Sequence, residues 1–252
     1  MSRTRRYLFS IATLALSLLV SAAAIAQQEP IRPGDDAVNP ETIQPFHAKY
    51  EQMGTPFWLD LRRVDGERPI FSAVMTMQSF LGGLAVDHAG FYADNLGFAY
   101  RKTTFGRWGV EYLDIAEQDG EIRMARMSLD ADGYGERRWV SERPAGLMFE
   151  GTLMYWLLGA LPLGQLETLS AATLGWTETG FEESIADFRV EGREEVVVDG
   201  VTYNCMVVVT GNDQFDLRNY VAHRPPYLIR QVAVQGDTEQ TVIELQSVQS
   251  DQ

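Results

Sequence analysis

Residues 147–163, LMFEGTLMYWLLGALPL, decide how the chain is read. One charge, Glu150, interrupts an otherwise almost wholly apolar run. As a helix rising about 1.5 Å per residue, the run would cover roughly 25 Å, short of the roughly 30 Å hydrocarbon core of a bilayer. Gly151, Gly159 and Pro162 shorten it further. The expectation is therefore a helix that is apolar on every side and buried in protein, because such a helix needs apolar cover all round. Each Leu, Met or Trp left wet would forgo about 1.5–3 kcal/mol. A sheet curved round the helix is the economical cover.

The flanks read as that sheet. Phe57, Leu59 and Leu61 alternate with Trp58, Asp60 and Arg62, and after the Asp65–Pro69 turn Phe71, Ala73, Met75 and Met77 alternate with Ser72 and Thr76. Two period-two runs about a short Asp-Gly loop make a hairpin. Phe46 to Tyr50 opens the first strand, since Pro45 breaks a helix over Glu41–Met53. Leu96, Phe98 and Tyr100 continue the alternation, and Tyr112–Glu117 pairs with Glu121–Leu129 about Asp119-Gly120. Ile122 and Met124 share one parity while Met127 and Leu129 share the other, which predicts a bulge near Ala125-Arg126. Leu166–Leu174 reads as a looser amphipathic segment or loop. Ala186–Val198 gives one or two strands, and Val201–Thr210, Phe215–Ala222, Tyr227–Val234 and Thr241–Val248 complete the set. The fold class is mainly β (α+β): a curved antiparallel half-barrel of about ten to eleven strands round a central apolar helix. No βαβ alternation occurs, which disfavours a parallel nucleotide-binding sheet.

The domain plan has three parts. Residues 1–26 have a basic start at Arg3, Arg5 and Arg6, an apolar run from Tyr7 to Ala24, and a small-x-small site at Ala24-Ile25-Ala26. That is the layout of a cleavable signal peptide, and it predicts a periplasmic protein. Residues 27–42, rich in Pro, Asp and Gln, read as a flexible leader. Residues 43–252 form a single half-barrel domain. Removing the signal leaves no disulfide to form within the chain, because Cys205 is the only cysteine. It sits in phase with Val201, Tyr203, Val207 and Val209, which predicts a buried small hydrophobe.

Charge and motifs narrow the function classes. The chain has 21 Lys+Arg against 35 Asp+Glu, and without the three signal arginines the balance becomes about −17. That field repels phosphate backbones and anionic head groups, so neither nucleic acid nor a polybasic membrane patch is expected, and no membrane span survives signal removal. His47, His88 and His223 have no metal spacing, and HExxH and CxxC are absent from the sequence. Asp130-Ala131-Asp132-Gly133 reads as a turn rather than a calcium loop, since its glycine comes early and Tyr134 takes a ligand place. Gly133-Tyr134-Gly135 lacks the third glycine of a dinucleotide loop, and no GxSxG elbow exists. Neither a catalytic constellation nor a cofactor is predicted. Of the five tryptophans, Trp58, Trp108, Trp139, Trp156 and Trp176, only Trp156 stands in the apolar run.

Ile43-Gln44-Pro45-Phe46-His47-Ala48-Lys49-Tyr50, the run Leu153–Leu163 ending in Leu161-Pro162-Leu163, and Gly200-Val201-Thr202-Tyr203 followed by Tyr220-Val221, Pro225-Pro226 and Tyr227-Leu228-Ile229-Arg230 carry a likeness. Together they resemble the periplasmic half-barrel proteins typified by the lipoprotein carriers of Gram-negative bacteria, in particular the uncharacterised secreted proteins grouped with them. The resemblance implies about eleven strands, a concave face closed by helices, and acyl chains held there without catalysis. Arg62 and Arg101 are the positions for a lid arginine by strand placement. The expected cavity lining is Phe71, Met75, Met148, Met154, Trp156 and Leu157. The rival expectation is a non-enzymatic envelope scaffold or interaction module with a filled core, whose partners are envelope proteins. A hydrolase would need polar groups converging in one cleft.

Overall fold

The structure, a computed structural model, describes residues 29–78, 84–105, 110–129, 135–176, 181–211 and 215–249. The signal segment, Trp108 and the Asp130–Gly133 turn lie outside them. The described chain is mainly β and forms one open curved sheet of 15 strands. The strands are β1 (Phe46–Gln52), β2 (Thr55–Val64), β3 (Ile70–Gln78), β4 (Leu84–Tyr92), β5 (Phe98–Phe105), β6 (Val110–Gln118), β7 (Glu121–Leu129), β8 (Gly135–Glu142), β9 (Phe149–Glu150), β10 (Thr168–Trp176), β11 (Phe181–Val198), β12 (Val201–Gly211), β13 (Asp216–Ala222), β14 (Leu228–Gln235) and β15 (Thr238–Gln249).

The order across the sheet is β8-β7-β6-β5-β4-β3-β2-β1-β15-β14-β13-β12-β11-β10-β9. The chain starts in the middle and walks outward through β1 to β8. It then crosses over and walks back from β9 to β15, which pairs with β1 (His47 opposite Gln249). Two arms result, and a crossing segment joins them. Among the described strands the β9–β10 pair is parallel and the other neighbours are antiparallel, and Ile31 adds an isolated parallel bridge to Ala171.

Fifteen strands replace the expected ten to eleven, and each extra one hides its pattern. β8, GERRWVSE, has no apolar alternation. β4, LAVDHAGFY, puts Asp87 on the inward face, and β10, TLSAATLGW, is built from small residues. The residues from Ala186 onward belong to one 18-residue strand, β11. β7 pairs with β6 and β8 in unbroken register, so the bulge expected near Ala125-Arg126 is absent; Met127 simply faces outward.

The central 17-residue helix is also corrected. Leu147 is exposed, Phe149–Glu150 is β9, and only seven residues wind: α1 (Met154–Leu157) followed by a 3₁₀ turn, Leu158–Ala160. Close packing explains the short winding. A Cβ on Gly151 would stand 2.5 Å from the Leu174 carbonyl oxygen, and one on Gly159 would stand 2.6 Å from the Tyr227 ring. The chain therefore threads against β10 and Tyr227 at two glycines and has room for little more than two turns between them. The expectation of burial stands: Leu153, Met154, Trp156, Leu157, Leu158, Ala160 and Leu161 share one core cluster with Phe46, Leu59, Phe71 and Phe91 of the first arm and Phe188, Cys205, Ile229 and Leu245 of the second.

A smaller cluster joins Phe98, Leu113, Ile115, Ile122 and Met124 to Met148 and Leu174. The inward faces of the two arms therefore meet, with the crossing segment between them. Residues 29–42, within the stretch read as a flexible leader, are tied to the second arm. The Ile31 N–H donates to the Ser170 carbonyl at 2.7 Å, the Ala172 N–H donates to the Ile31 carbonyl at 3.0 Å, and Arg32 pairs with Glu183. One buried isoleucine and two ladder bonds hold a segment whose composition suggests none.

Candidate functional site

The crossing segment meets the arms at an apolar cleft and at a charged joint. The cleft is lined by Ile43, Phe46, Leu59, Leu61, Ala73, Phe91, Leu153, Trp156, Leu157 and Tyr227. Its volume is about 10 Å³, which is room for about one water, and its walls offer such a water no polar surface. Leu153, Trp156 and Leu157 of the crossing segment stand there against Phe46, Leu59, Leu61, Ala73 and Phe91 of β1 to β4.

Of the expected lining residues, Trp156 and Leu157 line this cleft. Phe71, Met75 and Met154 are buried elsewhere in the same core, and Met148 lies in the smaller cluster. Trp156 is also committed structurally. Its Nε1–H donates to Tyr50 Oη at 3.0 Å, and the two rings meet edge to face at 5.8 Å. Tyr50 Oη in turn donates toward the Pro226 and Leu228 carbonyls, and its ring stacks on Phe57. Burial pushes the Tyr50 phenol far above its ordinary value, so it remains a neutral donor. Tyr227 closes the other end: its Oη donates to the Thr42 carbonyl and accepts from the Gln44 N–H, both at 2.7 Å.

The joint centres on Arg101 of β5, which the sequence offered only by strand position. The other lid-arginine position, Arg62, is exposed and pairs with Asp60 at 2.7 Å. Arg101 faces inward and is 3% exposed. Its guanidinium donates to Asp87 of β4, to Glu150 of β9, to Thr152 Oγ1 at 2.5 Å and to Thr103 Oγ1 at 3.1 Å. Thr103 Oγ1 donates to Asp87 at 2.7 Å. The second Glu150 oxygen accepts from the N–H of Leu153, the residue that precedes α1, at 2.7 Å. Burial pushes both carboxyls up, and the Arg101 charge opposes that shift. The alternation that identified strands could not reveal this joint, because a charged residue on an inward parity breaks the very pattern being counted.

A second polar group lies on the outward face. His88 Nε2 stands 2.8 Å from Ser72 Oγ and 2.6 Å from Tyr100 Oη. Burial and Lys102 lower the His88 pKa, which favours the neutral imidazole. A serine beside a neutral imidazole has the outline of a nucleophile. The neighbouring strands, however, are paired in register on both sides of Ser72, so their amides serve the ladder rather than an oxyanion. Cys205 is buried, and desolvation pushes its thiol up to about 12, which makes it inert as a nucleophile. Among the described residues no group of three or more His, Cys, Asp or Glu side chains could hold a metal, and no helix is long and apolar enough to cross a membrane.

Comparisons with protein-family models, curated proteins and solved structures find no match to this chain.

Proposed function

We propose that this protein is an exported, non-catalytic module of the cell envelope that binds partner proteins through the outside of its sheet. The observation that supports this reading is the tightness of the cleft beside Trp156, about 10 Å³, between arms that meet through apolar side chains. The buried side-chain N and O atoms among the described residues all have partners, so no polar group waits inside for a ligand. Export rests on the basic, apolar and small-residue layout of residues 1–26. The test is capture on immobilised protein from envelope extract, with native mass spectrometry of the purified chain alongside. The expected result is a bare protein mass and a specific protein partner. A co-purifying lipid mass would overturn the reading.

The second reading is the carrier that the resemblance implies, and one observation favours it. Leu153, Trp156 and Leu157 lie over Phe46, Leu59, Leu61 and Phe91, so lifting the crossing segment would leave an apolar trough between the arms. Each CH₂ of an acyl chain laid there would gain about 0.8 kcal/mol. Uptake of a fluorescent fatty acid in proportion to protein would support this reading; no uptake would count against it.

A further inference from the structure

Asp87, Arg101 and Glu150 bring two carboxyls and one guanidinium together inside the protein, and we propose that they form a proton-linked clasp between the first arm and the crossing segment. With one carboxyl protonated the cluster is neutral and holds β9 and α1 against β4 and β5. With both ionised it carries one surplus negative charge, and the clasp loosens.

The charge count carries the argument. Glu150 is fully buried and Arg101 nearly so. Glu150 cannot relieve its charge in water, since one oxygen meets Arg101 and the other caps the Leu153 N–H. The Asp87 side chain is 17% exposed, which gives protons a route. The electrostatic neighbours of Asp87 are Arg101, Glu150 and His88; those of Glu150 are Arg101 and Asp87. His88 follows Asp87 on the opposite face of β4, where Lys102 opposes its charging; Lys102 itself lies 3.9 Å from Asp114. Thus, among the described residues of this cluster, one inward cation answers two inward carboxylates. A buried charge without its counterpart is costly, and the moving part is the piece held through Glu150 and Thr152. The Phe98 N–H to Met148 carbonyl bond and the Trp156–Tyr50 bond hold the same segment independently, so the clasp grades an opening rather than unfolding the domain. The inference stands whichever partner the protein binds.

The test is amide hydrogen exchange on the full chain from about pH 4, near the ordinary carboxylate range, to about pH 8.5, each rate divided by the intrinsic chemical rate at that pH. Protection at Leu153 and Trp156 should fall by about tenfold as pH rises, because the protonated form that holds the clasp is lost as pH passes through the raised carboxyl values. Ala48 and Leu59 should stay level. Asp87→Asn and Glu150→Gln, which each leave one carboxylate for one guanidinium, should flatten the profile at Leu153. A flat wild-type profile, an unchanged slope in both variants, or a parallel fall at Ala48 would overturn the clasp. The wild-type profile decides even if a variant fails to fold.

Discussion

The two arms of one sheet are built differently. Residues 43–143, which hold β1 to β8, carry 12 Lys+Arg against 15 Asp+Glu; residues 144–252, which hold β9 to β15, carry 5 against 16. The acidity of the molecule is therefore concentrated in the returning arm. The outgoing arm alternates regularly on β2 and β3 and not on β8. Trp58, Thr76, Val86, Thr104, Tyr112, Met127 and Arg137 are successive cross-strand partners on its outward face. Trp58, Tyr112 and Trp139 are 37%, 41% and 65% exposed, so these aromatics belong to the surface and not to the core. The returning arm breaks alternation: Cys205 to Val209 are all buried, and the register shifts at Val190/Gly192, Tyr220/Val221 and Gln231/Val232. It even buries polar groups, with Gln231 Nε2 donating to Asn219 Oδ1 at 2.7 Å. One arm is solved by pattern and fastened by one charged joint. The other is solved by apolar bulk and shifts register at three places, whereas the outgoing arm shifts at Gly90/Phe91.

That contrast can be broken by mutation. Arg101→Met leaves two buried carboxylates without their cation and should cost about 3–5 kcal/mol in urea unfolding, more at pH 8 than at pH 5. A smaller cost would mean the joint does not fasten the outgoing arm. Ile229→Ala, in the apolar returning arm, should cost about 2–5 kcal/mol with no pH dependence. Fluorescence and circular dichroism should report one coincident transition, because both arms share one core; two separate transitions would show the arms to be independent.

Asp87→Asn sharpens the comparison through pH. Burial raises the Asp87 and Glu150 carboxyls in the folded state. Their protonated forms therefore stabilise the fold at acid pH, and that contribution is lost as pH rises through the raised folded values. The variant should be as stable as wild type at low pH and more stable above neutrality; a wild-type stability that rises with pH would reverse the sign. Tyr50→Phe removes an oxygen bonded to Trp156 and two carbonyls, at about 1–3 kcal/mol, read as a fall in melting temperature. Trp139→Ala should move stability by no more than about 0.5 kcal/mol, a check that the outgoing arm's exposed aromatics are not structural.

The same contrast explains what could be read in advance. The hairpins at Asp65–Pro69, Asp119-Gly120 and Asp199-Gly200 were legible because turn residues and period two agree there. Burial of Trp156 and Cys205 was legible from their neighbours. β4 and β10 were not: an inward Asp87 and a run of small residues carry no hydrophobic period. Nor was the length of α1, because what stops it is Tyr227 against Gly159 and Leu174 against Gly151, contacts made by residues far along the chain. Arg101 could be named only as a strand position; its carboxylate partners on β4 and β9 come from opposite ends of the outgoing arm and the crossover.

The pairing of β1 with β15 has a consequence for how the molecule comes into being. His47 and Gln249 sit side by side, about 200 residues apart along the chain, so this contact carries the greatest loop-closure cost of any neighbouring pair. During synthesis, the edge of the first strand stands bare until the last strand emerges. The seam in the middle of the sheet is thus the final stitch, and truncating the C-terminus by a dozen residues would leave a nascent protein with an open wound at its centre rather than a frayed rim.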